Sequence, residues 1–190
     1  DQPRSRGLGD VYKRQTTTIA PAAATVTAMI YTWIKNGKPD VSMSLNGSLA
    51  GLVAITAGCA NVDAVGAFVI GGLAGILCTM SVYFVEDKLK VDDPVGAVSV
   101  HGVCGLFGTL MVGLFDYTDG LFYGGGVHHL AIQALGVVCI AGWVIVTMSI
   151  VFIVLKKTIG LRVSKEEELE GLDSTCLLYT SDAADELDGV

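Results

Sequence analysis

The chain has 190 residues, a formal net charge of −7 and a mean hydropathy of +0.59, and only 16% of its residues are charged. This balance is too apolar for an ordinary soluble domain and too acidic for a nucleic-acid partner, so it indicates a membrane protein. The five cysteines have no CxxC-type spacing, and we expect no disulfide framework, no metal site and no cofactor.

The two ends of the chain differ from the rest. Asp10–Gln15 reads DVYKRQ and Cys176–Ser181 reads CLLYTS. The DNA sequence GATGTGTATAAGAGACAG encodes the first segment, and its reverse complement encodes the second in a shifted frame. That DNA resembles the transposon end used in sequencing libraries. We therefore expect residues 1–15 and 176–190 to be translated adapter, with a pair of genuine disordered tails as the alternative.

The remaining residues predict an all-α, polytopic transmembrane helical bundle over residues 16–159 and a cytoplasmic tail over residues 160–175. Each of five apolar stretches approaches the ~20 residues that a helix needs to cross a bilayer. The second stretch contains Asn46, Ser48 and Thr56, and we expect it only as a helix buried against others. The five stretches are Thr16–Ile34, Ser44–Asn61, Ala64–Val85, Pro94–Phe115 and Val127–Leu155.

The basic residues outside the suspected adapter occupy alternate loops. They follow the first, third and fifth stretches, whereas the loops after the second and fourth contain aspartates and no Lys or Arg. By the positive-inside rule, this pattern predicts that the chain enters from outside the plasma membrane and ends in the cytoplasm. A soluble helical bundle would need a polar face on each helix, and Ala64–Val85 offers almost none.

The fourth apolar stretch carries a histidine in the segment VDDPVGAVSVHGVCGLFGTL (Val91–Leu110). Asp93 as an N-cap and Pro94 at the first helical position predict the helix start, which places His101 about 10 Å inside the helix. That depth approaches the midplane of a hydrocarbon core about 30 Å thick, where an ionisable residue indicates a function. A neutral histidine that donates to a carbonyl of a neighbouring helix is the structural alternative.

Small residues lie in line with this histidine on an ideal helix. Ala97 is one turn before His101, and Gly105 and Gly108 are one and two turns after it. The stretch contains no Asp, Glu, Lys or Arg, so desolvation favours the neutral imidazole, which both donates and accepts hydrogen bonds. Small residues at these positions let either another helix or a narrow file of substrate come close. We predict that His101, Ala97 and Gly105 line a narrow path for a small polar molecule or a proton.

Three segments of the chain resemble the ammonium transporter family (Amt/Mep/Rh). DDPVGAVSVHGVCGLFGTLMVGLF looks like the family's second histidine helix, SLNGSLAGLVAITAGC like an earlier span, and GLRVSKEEELEGLD like the start of the cytoplasmic tail. The resemblance covers essentially all of residues 16–173. It implies an eleven-span fold of two inverted five-span repeats and a last helix, in a homotrimer, of which this chain supplies spans seven to eleven.

The resemblance also implies the roles of individual residues. His101 matches the second of the twin histidines that line the family's ammonia pore, and Asp93 matches the acidic residue at the start of that helix, where we expect it to cap the helix. The first histidine and the outer vestibule belong to the half that is absent here, so we expect the chain alone not to transport. The tail Lys165–Glu170 reads as solvated, although the resemblance implies a contact with trimeric PII-type signal proteins.

Other functions are possible on the sequence alone. A membrane redox protein would use His101 as a haem ligand, with His128 as the second candidate ligand, but these histidines are predicted at different depths. An interaction or scaffolding protein would leave the buried histidine without a purpose. The adjacent His128 and His129 follow a glycine-rich loop, and we interpret them as hydrated surface. No enzymatic activity is expected.

Overall fold

The computed structural model describes residues 2–172. All regular secondary structure in these residues is helical, and they contain no β-strand. Residues up to Ile140 form one compact unit, and the described residues from Ala141 onward belong to a second. The α-helices are α1 (Gln2–Asn36), α2 (Val41–Thr56), α3 (Ala64–Tyr83), α4 (Cys104–Phe115), α5 (His128–Thr158) and α6 (Lys165–Glu170).

Three shorter helical segments complete the part of the chain that the structure describes. A π-helical turn, Phe84–Lys88, extends α3, and a second, Val98–Val103, leads directly into α4. Leu121–Tyr123 forms a single 3₁₀ turn between α4 and α5. The π-helix is rare, and its single turns are found within α-helices at functional sites more often than elsewhere. The second of these turns contains His101.

Aspartate and serine side chains fix the starts of three helices. Asp40 accepts a hydrogen bond from the Met43 amide at 3.0 Å before α2, and Asp63 accepts one from the Gly66 amide before α3. Ser164 and Glu167 form a reciprocal capping box at α6. Each contact satisfies an amide that has no partner within the helix, which is why these residue types favour helix starts.

The predicted apolar stretches differ from the helices mainly at their ends. The first helix begins at Gln2 instead of Thr16, so it includes part of the suspected adapter, and the Tyr12 hydroxyl donates to the Val62 carbonyl at 3.1 Å. The second helix spans Val41–Thr56 and ends before the predicted Asn61, because residues 57–61 form turns.

Within residues 2–172, three helical segments are long and apolar enough to cross a membrane: Ala64–Lys88, Val98–Phe115 and His128–Thr158. α2 is apolar but has only 16 residues. α1 has 35 residues, but it is not apolar enough to be one of these segments. α1 is rich in threonine, and its hydroxyls donate to carbonyls of the preceding turn, as Thr25 does to Pro21 at 2.8 Å. The prediction of a polytopic helical membrane protein is confirmed, although only three of the five predicted spans are among these segments.

Small residues bring the backbones of the first three helices into contact. A methyl group added at Gly71 of α3 would overlap the backbone of Ala20 in α1, and one added at Gly51 of α2 would lie 2.7 Å from the same Ala20 carbonyl oxygen. Ala20 and Ala24 are completely buried at these contacts. Close approach of this kind is typical of membrane helices, because lipid is as apolar as a leucine side chain and backbone packing must supply the attraction.

The neighbouring glycines Gly71 and Gly72 test this packing. Gly71→Ala is expected to destabilise the chain by about 1–3 kcal/mol, because the new methyl group meets rigid backbone. Gly72→Ala is the matched control: its methyl group would lie 3.7 Å from Thr27 Cγ2, an ordinary contact, so we expect no loss of stability. Thermal unfolding of the purified chain in detergent measures both. Equal stability of the two variants would contradict the packing described.

Candidate functional site

The segment that carries His101 begins with a capped turn. Asp93 is 8% exposed, and its two carboxylate oxygens accept hydrogen bonds from the amides of Ala97 at 2.8 Å and Val98 at 2.9 Å. Its backbone carbonyl accepts a further bond from the amide of Gly96 at 2.9 Å. A carboxylate at a helix N-terminus satisfies free amides and interacts favourably with the helix dipole.

The predicted helix start at Pro94 is wrong. Pro94 lies in a turn, and Gly96 adopts a left-handed conformation with φ of +68°, which no continuous right-handed helix accommodates. Helical conformation begins at Ala97, so His101 lies about 6 Å from the helix start instead of about 10 Å. Gly96 is required here because a side chain would be strained at this φ and would approach Asn46 Nδ2 to 3.0 Å.

The predicted pore-lining residues do not form a single straight row. Ala97 and His101 are exposed, whereas Gly105 is half-buried, and a methyl group there would lie 3.7 Å from Val53. Gly108 faces α2, where its backbone contacts Ala54. The row bends because a π-helical turn, with its i to i+5 bonds, contains more residues than an α-helical turn. Residues four apart therefore fall short of a full rotation.

His101 has no hydrogen-bond or ion-pair partner among residues 2–172, and its side chain is exposed. Its neighbours Ser99 and Val100 are buried, at 0% and 1% exposure, on the side of the turn that packs against the other helices. The structural alternative, a histidine that donates to a neighbouring helix, is therefore not realised within the described residues. The imidazole is free to contact a molecule or a protein surface outside this part of the chain.

The other two histidines lie at the start of α5, away from the His101 turn in sequence. His128 is exposed, and His129 is half-buried with Nε2 3.3 Å from Nε2 of Gln133. No group of three or more potential metal ligands occurs in the described part of the chain. Cys78 and Cys104 are buried, Cys59 is half-buried and Cys139 is exposed. The fifth cysteine, Cys176, lies outside the described residues.

Two hydrogen bonds beside His101 are not evident from the sequence. The Ser99 hydroxyl donates to the Ser81 hydroxyl of α3 at 2.9 Å, and the Asn46 side chain of α2 donates to the Val95 carbonyl at 3.3 Å. Each residue is a polar side chain within an apolar stretch, which is a signal for an interhelical contact. The partner of such a residue, however, is decided by helix packing that the sequence does not reveal.

A polar network joins the loop before α3 to the loop after α4. Asp116 is 3% exposed and accepts hydrogen bonds from Asn61 Nδ2 at 3.1 Å and from the Thr118 amide at 2.8 Å. The Tyr123 hydroxyl donates to the Asp63 carboxylate. These loops carry no Lys or Arg, so hydrogen-bond donors stabilise the carboxylates instead of opposite charges.

These hydrogen bonds change the pKa values of the loop carboxyls. The Tyr123 hydroxyl, followed by the Gly66 amide, lowers the pKa of Asp63 below its ordinary value. Burial acts to raise the pKa of Asp116, but its donors outweigh burial and leave that pKa lowered. Hydrogen bonds that favour the charged form of a carboxyl have this effect.

Comparison with known proteins gives a consistent result. A family model described as Ammonium Transporter Family matches residues 7–180. The ammonium transporter Amt2 of Archaeoglobus fulgidus is 43% identical over 169 residues, covering 83% of this chain and 36% of the relative. An ammonium transporter of Mycobacterium tuberculosis is 40% identical over 170 residues. The chain therefore spans about a third of the length of the curated relatives it matches.

Solved structures agree with this match. A structure titled Sensor Amt Protein superposes with a TM-score of 0.82 at 38% identity, covering 88% of this chain and 42% of that one. Mep2 of Saccharomyces cerevisiae superposes with a TM-score of 0.73 at 26% identity, covering 84% of this chain and 38% of that one.

The hydrogen bond between Tyr123 and Asp63 predicts a dependence of stability on pH. A carboxyl whose pKa is lowered by folding contributes stability that is complete above its unfolded pKa of about 3.9 and is lost as pH falls through the lower folded pKa. We expect constant stability between about pH 5 and 7 and a decline below about pH 4. Tyr123→Phe should make this decline shallower, because the folded pKa of Asp63 moves towards its ordinary value.

Thermal unfolding of the purified chain across this pH range measures the effect. Tyr117→Phe is the matched control, since the Tyr117 hydroxyl donates to the Ala60 carbonyl and to no carboxylate. The other acidic groups titrate equally in both variants and cancel in the comparison. An identical acid decline in the two variants would show that the Tyr123–Asp63 bond does not lower the pKa of Asp63.

Proposed function

We propose, because the chain belongs to the ammonium transporter family, that the exposed side of its His101 turn is one wall of an ammonium-conducting pathway. The curated relatives are named as ammonium transporters, and the chain is a membrane protein, so we infer a transport role and no enzymatic one. The observation that carries the proposal is the exposed His101 imidazole, which has no partner among the described residues although the flanking Ser99 and Val100 are buried.

The chemistry of the turn supports this role. A neutral imidazole can accept a hydrogen bond from ammonia and donate one in return, so it replaces part of the water that the substrate loses on entering an apolar path. Ala97 is also exposed and Gly105 is half-buried, and neither has a bulky side chain that would fill space near the ring. Ammonium would lose its proton before this constriction, and a second histidine would pair with His101 and relay the proton.

We further propose that the chain is the C-terminal part of a longer transporter. It spans about a third of the length of its curated relatives, so the second histidine and the opposite wall of the pathway would come from the part that precedes it. The exposed apolar surface of α5, none of whose residues is buried, is available to lipid or to another protein surface. The chain alone would then be inactive.

The charges of the loops support one arrangement of the chain in the membrane. We infer a plasma-membrane protein whose Asp63 and Asp116 loops lie outside and whose Lys35, Lys88 and Lys156 ends lie in the cytoplasm, as the positive-inside rule requires. The complete transporter would be a homotrimer, as the family resemblance implies. The capped acidic helix α6 would lie at the cytoplasmic face, where a PII-type regulatory protein would bind.

Ammonium uptake by cells that lack their own transporters tests this function. In the complete transporter, His101→Ala is expected to reduce uptake about 5- to 150-fold, because a polar substrate left without its partner costs about 1–3 kcal/mol. His128→Ala is the matched control and should retain uptake, since this exposed histidine lies outside the proposed pathway. Cells that express the chain alone should not exceed the empty-vector rate.

Immunoblots of the membrane fraction establish that the variants are equally abundant. Normal uptake by His101→Ala would refute the proposed role of the histidine, and uptake by the chain alone would refute the missing-wall proposal. An absorption spectrum of the purified transporter with a Soret band would favour the redox alternative instead.

A further inference from the structure

The residues beside His101 are anchored on the buried side of its turn. Ser99, two residues before the histidine, is completely buried, and its carbonyl accepts the Cys104 amide in the i to i+5 bond that defines the π-helical turn. Cys104, three residues after His101, is also completely buried, and its thiol lies 3.7 Å from the Ala74 carbonyl oxygen of α3. The direction of the imidazole therefore depends on how these flanking residues are held against α3.

The Ser99 hydroxyl is the stronger of the two anchors. It donates to the Ser81 hydroxyl at 2.9 Å, whereas the Cys104 thiol is a weak donor at a longer distance. Among the described residues, most serine and threonine hydroxyls that form a hydrogen bond donate to a carbonyl of their own helix, as Thr79 does to Gly75 and Thr109 does to Gly105. The Ser99 hydroxyl instead connects the π-helical turn to α3.

Asp93 does not supply the same constraint. Its carboxylate fixes the amides of Ala97 and Val98 at the start of the turn, and so it holds the first residues of the helix. Rotation of the turn about its own axis is opposed instead by a contact to another helix. Ser81, which is half-buried on α3, provides that contact at the level of Ser99.

We propose that Ser81 is a positioning residue for His101, acting through its hydrogen bond to Ser99. The bond favours the π-helical register in which Ser99 is buried and His101 is exposed. Without it, the turn is freer to adopt α-helical bonding, which rotates the imidazole relative to the pathway. This inference rests on the proposed conduction role of His101, because the turn's orientation affects transport only if the imidazole contacts the substrate.

The ratio of ammonium to methylammonium uptake by the complete transporter tests the proposal. A misplaced imidazole changes the discrimination between the two substrates, whereas a merely structural defect lowers the amount of transporter and leaves the ratio unchanged. Ser81→Ala is expected to shift the ratio about threefold, equivalent to about 0.6 kcal/mol, the average for an interhelical hydrogen bond in a membrane. Ser81→Thr retains the hydroxyl and should preserve the wild-type ratio.

Two further variants distinguish the effect of losing the Ser81–Ser99 hydrogen bond from the effect of losing any buried hydroxyl. Thr79→Val removes a buried hydroxyl of α3 that bonds only within its own helix, so it should leave the ratio unchanged. Ser99→Ala removes the other half of the bond and should shift the ratio as Ser81→Ala does. The double variant should shift it no further than either single change, because one interaction is lost in all three.

The outcomes distinguish this inference from the function on which it rests. If His101→Ala reduces uptake as expected but Ser81→Ala and Ser99→Ala keep the wild-type ratio, the positioning role is refuted and the pathway stands. If His101→Ala transports normally, the pathway itself is refuted. Equal shifts in Ser81→Ala and Thr79→Val, or additive shifts in the double variant, would also overturn the role of the bond. Should Ser81→Ala fail to accumulate, Ser99→Ala supplies the same comparison.

Discussion

Direct contact between helix backbones is the constraint on which the rest of the structure depends. In a bilayer, burying an apolar side chain against protein gains little over leaving it in lipid, so helices associate through close packing and polar contacts. Gly51 of α2 and Gly71 of α3 both approach Ala20 of α1 so closely that a methyl group at either position would meet backbone. The positions of α2 and α3 relative to α1 follow from these contacts.

The same kind of contact places the helix that follows His101. Gly108 of α4 lies against the backbone of Ala54 in α2, and Cys104 lies against Ala74 of α3. With α4 fixed on this side, the preceding turn buries Ser99 and leaves His101 exposed. Among the described residues, small residues and hydroxyls on the buried side of the turn pack against the other helices, and His101 has no hydrogen-bond partner there.

Much of this architecture could be predicted from the sequence, because apolar length and helix caps are local properties. The apolar run from Ala64 predicts α3 from its first residue, and the motif around His101 carries the family resemblance that the comparisons confirm. The start of the His101 helix could not be predicted from Asp93 and Pro94, since that combination fits a helix start equally well with or without a left-handed residue at Gly96.

The π-helical turn and the interhelical contacts also could not be predicted from the sequence. An i to i+5 bond involves the same residue types as an i to i+4 bond, so composition does not distinguish them. The prediction that Ala97, His101 and Gly105 lie in one row assumed an α-helical turn. The turn is π-helical instead, so these residues do not lie in a straight row. Likewise, the sequence shows that Ser81 and Ser99 are polar residues in apolar stretches. It does not show that they form a hydrogen bond, because that contact depends on how α3 packs against the His101 turn.

In the proposed function, the exposed side of the His101 turn lines the substrate pathway. The most direct test of this pathway uses a complete transporter whose native cysteines are replaced and which carries Ala97→Cys. Ammonium uptake is measured before and after the cysteine reacts with a thiol reagent. We expect a membrane-permeant methanethiosulfonate reagent to abolish uptake by this variant, because the modified side chain fills the path beside His101. Full uptake after complete labelling of the cysteine would refute the proposed pathway, because a residue lining a narrow pathway cannot be enlarged without obstructing it.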